Sequence, residues 1–470
     1  MNLRHRATAT ILALLAATGP LRAEEVPPSA AVQPEIPART VAPERGDGLT
    51  LLQLVQVALT RNPQTRLALA EAREAMADVG IAKSFYYPEV SLTGTLLISD
   101  ERQPEYPGID DITKFYEAGP EIDLYYLLLD FGGRDAYVAM MRELLTAAKF
   151  NQNQVMQDVI LSVQAAYFQA LASETLVLLA RTELQSAAIN LAAQEQALEA
   201  GLGIPTEVLE AASALEGARS DLQAAESAQA DAYGNVNVAC GAPANAPLKL
   251  APMPTLPDVA GFEQNVDGLI ASGLVNRPDL AEQLAVVRAK EDAVRQAEST
   301  YWPEVSLEAE WYNRWFRARN NPQFVGPSIT ESGRGTFVGA AIVIDWELFD
   351  GFRRVNEVRA ARAEVQQAAA EFDQVKLDVG QQVWQAYFAY LSAGRALTFR
   401  RAGLVAAESQ FELVREGLVS GLADLIDFYQ AEVALAQAEA DLAQAQADWY
   451  IATASVIYAT GRLTPMTVPR

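Results

Sequence analysis

Two pairs of carboxylic acids have the residue type and spacing that could do chemistry: Glu207 with Glu210, and Asp424 with Asp427. Their i, i+3 spacing places both members of a pair on one helix face. Each pair could simply be solvated in the first turn of a helix, where negative charge suits the helix dipole. Several copies could instead form an acidic ring around a pore axis, which would attract cations and repel anions. A retaining-glycosidase pair is a third interpretation, and nothing else in the chain supports it.

Other reactive side chains are scarce. The chain has one histidine, His5, and one cysteine, Cys240. His5 lies within residues 1–23, whose order of basic, apolar and small residues is typical of a cleaved secretory signal peptide. An exported mature chain would therefore lack histidine, which excludes structural zinc, histidine-ligated haem, histidine triads and disulfide frameworks. We predict no metal, no cofactor and no enzymatic activity.

The net charge is strongly negative. The chain has 60 Asp and Glu against 36 Lys and Arg, a formal charge of −24. Nucleic acids and anionic lipid surfaces are bound by clustered Lys and Arg, so this balance argues against both as the main partner. We predict no nucleic-acid partner, and cationic solutes remain compatible with the charge.

The elements that must position the carboxylates occur twice. Tyr-Pro-Glu-Val-Ser-Leu at 87–92 returns at 302–307 with Trp in the first position, and Ala-Tyr-Phe at 166–168 returns at 386–388. A period of about 215–220 residues indicates duplication of a domain-sized unit rather than a short repeat array. We divide the chain into a signal peptide at 1–23, a Pro-rich N-terminal arm at 24–48, a first repeat at 49–241, a Pro-rich linker at 242–261, a second repeat at 262–463 and a C-terminal tail at 464–470.

Each repeat contains two segments in which apolar residues alternate with polar ones. We predict strands at about 88–98, 118–128, 303–312 and 337–347. Alternating segments of about nine to eleven residues can cross a bilayer as tilted strands. The polar segments at 99–114 and 313–334 are predicted as loops.

Aromatic residues flank these strands. A soluble hairpin packed on a helix is the alternative for one strand pair alone, but four such strands favour an outer-membrane barrel with aromatic girdles. We assign the girdle to Tyr87, Trp302, Trp311 and Tyr312. Four strands cannot enclose a pore, because about eight are needed even to fill a barrel with side chains. Oligomerisation must therefore close it.

Long helical segments follow the strands in both repeats. Gly-containing turns at 130–134 and 350–354 precede helical sequence that runs for about 65 to 70 residues, or roughly 100 Å. Further glycines at 199–205 and 416–421 end these helices and return the chain as antiparallel hairpins. The helices taken alone also fit a soluble coiled-coil rod, which would leave the strands unexplained.

Together these motifs resemble the TolC-like outer-membrane efflux proteins over residues 49–463. The resemblance is carried by the doubled Tyr/Trp-Pro-Glu-Val-Ser-Leu, the Asp-Gly-Phe-Arg-Arg turn, the repeated Ala-Tyr-Phe, and the Gly-Leu-Val-Ser tip followed by Asp-Leu-Ile-Asp. It implies an α+β membrane protein: a homotrimer whose protomers each give four strands to a twelve-stranded β-barrel, continued by a long α-helical barrel across the periplasm. It also implies a periplasmic adaptor protein and an inner-membrane transporter as partners.

The resemblance also suggests roles for individual residues. Asp424 and Asp427 match the family's aperture aspartates, and Pro88 and Pro303 match the prolines at its helix-to-strand junctions. We predict an outer-membrane channel of a tripartite efflux or type I secretion system, gated where the helix tips meet in the periplasm. The alternative from another class is a secreted, soluble coiled-coil structural or adaptor protein.

Overall fold

The computed structural model describes residues 48–106, 109–253, 265–322 and 329–467, with side chains not described at 101–106, 109–113 and 320–322. The predicted signal peptide, nearly all of the arm, much of the linker and the end of the tail lie outside these residues. The described helices are α1 (Leu51–Arg61), α2 (Pro63–Ser84), α3 (Gly133–Glu199), α4 (Pro205–Ala239), α5 (Val266–Asn276), α6 (Pro278–Ser299), α7 (Arg353–Ser420) and α8 (Leu425–Ala459). The strands are β1 (Glu89–Tyr106), β2 (Ile109–Leu129), β3 (Glu304–Pro322) and β4 (Ile329–Asp345).

The order of two helices, two strands, a long helix and a returning helix occurs twice, as the sequence duplication predicted. In each repeat a residue before proline separates the first two helices. Asn62 and Arg277 have ψ of 130° and 129°, which ends one helix in extended backbone before the next begins. The described residues form two compact units, one that contains the strands, within 79–139 and 292–362, and one that is helical, at 48–78, 140–253, 265–291 and 363–467.

The sheet is antiparallel throughout, in the order β1-β2-β3-β4. Its strands are 17 to 21 residues long, and they extend into both segments predicted as loops. That loop prediction was wrong for most of 99–114 and 313–334. Antiparallel pairing satisfies backbone N–H and C=O groups whatever the side chains, so strands can continue where their sequence no longer alternates.

Strands β2 and β3 approach closely at Gly119. A Cβ on Gly119 would lie 2.1 Å from the carbonyl oxygen of Asn313. The next residue, Pro120, has no N–H to donate to the ladder, so the backbone here is already under local constraint. Only glycine permits this approach.

We expect Gly119→Ala to destabilise the sheet by about 1–3 kcal/mol, the usual cost of overpacking a tight contact. Gly94→Ala is the matched control, because Gly94 pairs with Pro120 and its added Cβ would meet nothing within 4 Å. The measurement is urea unfolding of the detergent-solubilised protein, followed by tryptophan fluorescence. Equal unfolding midpoints for the two variants would contradict the steric explanation.

The helical unit has its core where the returning helix α8 packs on α3. Phe168, which is fully buried, stacks on Tyr450 with ring centroids 4.4 Å apart. The Tyr167 hydroxyl donates a hydrogen bond to the carbonyl oxygen of Ala251 at 3.0 Å. The Ala-Tyr-Phe motif of the first repeat is therefore a core element of this unit.

One described helix, α3, is long and apolar enough to cross a membrane by length and composition. However, 61% of its apolar window is buried inside the protein. Its apolar residues are accounted for by the core of the helical unit.

Candidate functional site

Strand register places most of the apolar residues of the four strands on one side of the sheet. Pairing is in register across this region, so alternate residues of each strand share a face with their cross-strand partners. Leu92, Leu96 and Ile342 are 75%, 76% and 67% exposed. We define this apolar face by Val90, Leu92, Leu96, Ile98, Ile122, Leu124, Tyr126, Val305, Leu307, Ala309, Trp311, Val338, Ala340, Ile342 and Ile344.

The apolar face has the height of a bilayer core. Along β3, Val305 and the aromatic edge at Trp315 are separated by ten residue steps of about 3.4 Å, or about 34 Å of strand. At a strand tilt of about 40° this distance spans about 26 Å, close to the roughly 25 Å apolar band of outer-membrane barrels. A surface of this extent is far larger than the scattered exposed apolar residues of ordinary soluble proteins.

Aromatic residues lie at both edges of the apolar face. Tyr87 and Trp302, which precede β1 and β3 at the helix end, are 66% and 57% exposed. At the hairpin end, Tyr116 and Trp315 are 38% and 48% exposed. Tyr116 and Trp315 were not among the four residues predicted as a girdle.

Two of the predicted girdle residues are neighbours and point to opposite faces. Trp311 pairs with Ile122 and Val338 on the apolar face. Tyr312 lies on the other face, where its ring stacks on Phe337 at 5.2 Å between centroids. Adjacent residues of a strand cannot share a face, so Trp311 and Tyr312 cannot both belong to a lipid-facing girdle.

The opposite face, here the acidic face, carries most of the acidic side chains of the strands. Arg314 lies among them, with ion pairs of 2.9 Å to Glu117 and 2.7 Å to Glu121. The carboxylates of Glu121, Asp123 and Glu310 lie within 4.8 Å of one another. The acidic residues that register assigns to this face are Glu89, Glu117, Glu121, Asp123, Glu304, Glu308, Glu310, Glu331 and Asp345.

The helix-to-strand junctions begin at the predicted prolines. Pro88 and Pro303 lie immediately before β1 and β3, after α2 and α6 have ended at Ser84 and Ser299. Proline suits this position, because it fixes φ and cannot continue a helix. The structure thus places both residues at the turn that leads from each short helix into the sheet.

The strand-to-helix turns are held by an aspartate and an arginine four residues later, in both repeats. Asp350 accepts hydrogen bonds from the backbone N–H of Arg354 at 2.9 Å and from its Nε at 2.7 Å. The Arg354 guanidinium also donates to the carbonyl oxygens of Thr300, at 3.1 Å, and Glu347. Asp130 and Arg134 repeat the arrangement in the first half. These turns stand out in the sequence by their glycines and the Asp-Gly-Phe-Arg-Arg motif, and the repeated Asp-x-x-x-Arg spacing that holds them is visible there as well.

This hydrogen bonding lowers the pKa of Asp350. The backbone N–H of Arg354 contributes most, opposed by desolvation and assisted by the Arg354 side chain, and the pKa falls from 3.8 to about 2. A folded-state pKa below the unfolded value means that the ionised carboxylate stabilises the fold. This contribution is complete above the unfolded pKa and is lost as pH falls through the folded one.

The second helix tip explains the spacing of its aspartates. Asp424 is the N-cap of α8, and its carboxylate accepts the N–H of Asp427 at 2.8 Å. The Asp427 carboxylate accepts the N–H of Asp424 in return at 3.2 Å. The pair forms a capping box, and both side chains remain exposed. Their local structure is thus that of solvated carboxylates at the first turn of a helix. Because both side chains are exposed, their charges could also face a pore.

The first helix tip differs. Glu207 occupies the third position of α4, equivalent to Asp427, and Glu210 lies about one turn further along. The N-cap is Ile204, which has no side-chain acceptor, and its N–H lies 3.5 Å from the Glu207 carboxylate. Both glutamates are exposed. The two acidic pairs are thus not equivalent in position.

The sheet has one apolar and one acidic face, and very long helical hairpins follow it in the chain. These two features define the class of outer-membrane channels that combine strands and helices. The profile of the outer membrane efflux protein family matches residues 54–242 and 269–462. Protein CyaE of Bordetella pertussis is 30% identical over 353 residues, which cover 75% of this chain and 71% of that relative. The outer membrane efflux protein BepC of Brucella suis is 24% identical over 423 residues, or 88% of this chain and 86% of BepC.

A solved structure has the same fold. The CmeC outer membrane channel of Campylobacter jejuni matches with a TM-score of 0.70 and 15% identity, over 88% of this chain and 85% of that chain. The chain belongs to the outer membrane efflux protein family. It is an outer-membrane channel for efflux or secretion that extends into the periplasm, so the predicted fold class, function and localisation are confirmed at this level. A soluble coiled-coil protein is not favoured.

Proposed function

We propose that the protein is a homotrimer in which twelve strands, four from each protomer, form a β-barrel that is continued by an α-helical barrel. The apolar face carries this proposal, because it must meet hydrocarbon and its sheet has two unpaired edge strands, β1 and β4. Open sheet edges are not tolerated within a bilayer, so each edge must pair with another copy. The acidic face then lines the water-filled lumen.

The helical unit supports the presence of neighbouring copies. Tyr167 and Phe168 of the first repeat are buried, whereas Phe388, the counterpart of Phe168, is 45% exposed. Trp384 packs beside Phe388 with ring centroids 4.8 Å apart and is 50% exposed itself. Large aromatic pairs of this kind are typical of protein interfaces. A second copy covering them would restore the burial that the first repeat has within one chain.

We propose that the helix tips form the gate of the channel and the docking region for a periplasmic adaptor. An inner-membrane transporter supplies the energy for transport, and this chain catalyses no reaction. Leu202 and Leu422, each directly after a glycine with positive φ, are both 88% exposed. A cleft of about 210 Å³ lies nearby between α3 and α8, lined by residues that include Glu183 and Tyr429. Desolvation, and then repulsion from Asp221, raises the pKa of Glu183. Clefts between helices suit docking of a partner helix.

Extraction and conductance test this proposal. The mature protein should require detergent, run on unheated gels as a trimer that heating dissociates, and conduct ions in a planar bilayer. A protein that remains a stable monomer in plain buffer and never conducts would contradict the barrel.

We expect Asp424→Asn with Asp427→Asn to lower the cation-to-anion permeability ratio by about twofold or more, because the variant removes charge from the proposed acidic ring. Asparagine is as good an N-cap as aspartate, so helix stability should change little. Reversal potentials in a salt gradient give the ratio. Glu207→Gln with Glu210→Gln removes the same charge at the other tip and shows whether that tip also lines the aperture. Unchanged reversal potentials in both variants would mean that these carboxylates only cap or solvate their helices and do not form an acidic ring.

A further inference from the structure

The strands segregate charge by face. Four cations at the hairpin end share the side of the apolar face, whereas the acidic side chains lie mostly on the other side. Among the strand side chains that the structure describes, the one cation on the acidic face is Arg314, which two glutamates hold. We define the basic patch by Lys114, Arg317, Arg319 and Arg334.

The basic patch begins where the apolar face ends. Arg334 pairs directly with Trp315 across β3 and β4, and Arg317 pairs with Tyr116 across β2 and β3. Arg319 follows two residues later, so the patch extends about 13 Å along the strand past Trp315. With the strand tilt this is about 10 Å above the aromatic edge, within or just beyond the head-group layer of a bilayer.

The four cations have few anions to neutralise them. Lys114 pairs directly with Arg319 in the strand register, and like charges directly opposite each other are destabilising. Among the described side chains on this face, the carboxylate near the patch is that of Asp100, 3.7 Å from Lys114, and both side chains are about half exposed. The patch therefore has net positive charge in a chain whose formal charge is −24.

We propose that the basic patch binds the phosphate groups of the phosphorylated glycolipid in the outer leaflet of the outer membrane. This inference rests on the proposed function, because it requires the apolar face to meet lipid. In the proposed channel the strand ends that join the helices face the periplasm, so the hairpin ends of the strands reach the outer leaflet. Trp315 and Tyr116 would sit at the lipid interface, and the planar guanidinium groups of Arg317, Arg319 and Arg334 suit bidentate contact with phosphate.

The local charge on this part of the sheet differs in sign from the net charge of the chain. The net charge argued against an anionic lipid surface as the main partner, but net charge does not report local distribution. Contacts within a Debye length decide binding to a charged surface, and each Lys or Arg near such a surface contributes separately.

Lipid competition tests the patch. The full mature chain is reconstituted in phosphatidylcholine vesicles that contain either diphosphorylated lipid A or its dephosphorylated analogue, each with brominated acyl chains. Quenching of tryptophan fluorescence then reports which lipid contacts the protein. The test variant is Arg317→Gln/Arg319→Gln/Arg334→Gln. The control Arg359→Gln/Arg395→Gln/Arg401→Gln removes the same charge from exposed positions of α7.

We expect the wild type to prefer the phosphorylated lipid by about tenfold or more, and this preference to weaken as salt is raised. The test variant should lose the preference, and the control should keep it. Equal quenching of the wild type by both lipids, or a test variant that retains the preference, would contradict phosphate binding by the basic patch. Neither result would contradict the proposed barrel. Absence of quenching by any lipid would overturn the barrel as well. Should the test variant fail to fold, a wild-type preference that does not depend on salt would overturn the proposal.

Discussion

Arg277→Ala is expected to lower the free energy of unfolding by about 3 kcal/mol, because it removes one partner of a buried ion pair. The Arg277 side chain is 3% exposed and lies 2.5 Å from the Asp279 carboxylate. Its Nη1 also donates to the Gln382 side chain at 2.6 Å. Asp279 retains 25% exposure, so water can solvate part of the stranded carboxylate, which puts the cost at the lower end of the usual range.

The same guanidinium extends a polar network through the helical unit. It lies 5.5 Å from the centre of the Tyr458 ring, and the Tyr458 hydroxyl donates to the Asp158 carboxylate at 2.6 Å. Burial, followed by this hydrogen bond, raises the pKa of Tyr458 well above 10.0. Tyr458 therefore stays protonated at neutral pH and keeps its donor. Loss of Arg277 should therefore disturb the packing of the Tyr458 ring.

Urea unfolding of the detergent-solubilised protein measures the effect, with Arg219→Ala as the control. Arg219 pairs with Glu216 at 2.6 Å, but the two side chains are 58% and 67% exposed, so the control should cost less than about 1 kcal/mol. Arg277→Lys keeps the charge but not the forked geometry and should fall between them. If Arg277→Ala cost no more than Arg219→Ala, the network would have no structural importance.

Sequence patterns predicted those parts of the fold that depend on local chemistry. Alternation identified the strands where one face is apolar, and glycine-containing turns identified the ends of the long helices. The outer parts of the strands were missed because polar residues predominate in their sequence, so little alternation of apolar and polar residues remains to be detected. Backbone pairing, which sequence does not reveal, maintains those strands.

The candidate site and the polar network were predicted less completely, because the residues that meet there are far apart in the sequence. The sequence gives no sign that Arg277 is buried in a polar network, because its partner Gln382 is 105 residues away. The basic patch combines residues of β2, β3 and β4 and appears only once the register is known. The Asp424 and Asp427 spacing was correctly placed in a first helical turn, and its role in the pore stays a prediction.

The second large effect is expected from two neighbouring alanines that differ in the face they occupy. Ala340 pairs with Ala309 near the middle of the apolar face, whereas Ala341 pairs with Glu308 on the acidic face. Lysine at a lipid-facing position near the bilayer midplane costs about 2–4 kcal/mol, and lysine in a water-filled lumen opposite a carboxylate costs little. We therefore expect Ala340→Lys to reduce the folded, heat-dissociable trimer strongly and Ala341→Lys to leave it nearly unchanged.

The pair is informative because residue type, strand, substitution and charge are all the same. Both alanines are exposed in the single chain, so neither substitution must disrupt a packed core. Gel mobility before and after heating gives the trimer fraction, and unfolding from lipid vesicles in urea gives the energy difference. Equal damage from both substitutions would mean that the sheet does not separate lipid from water. The reverse order would mean that the face assigned to the lumen is the one that meets hydrocarbon.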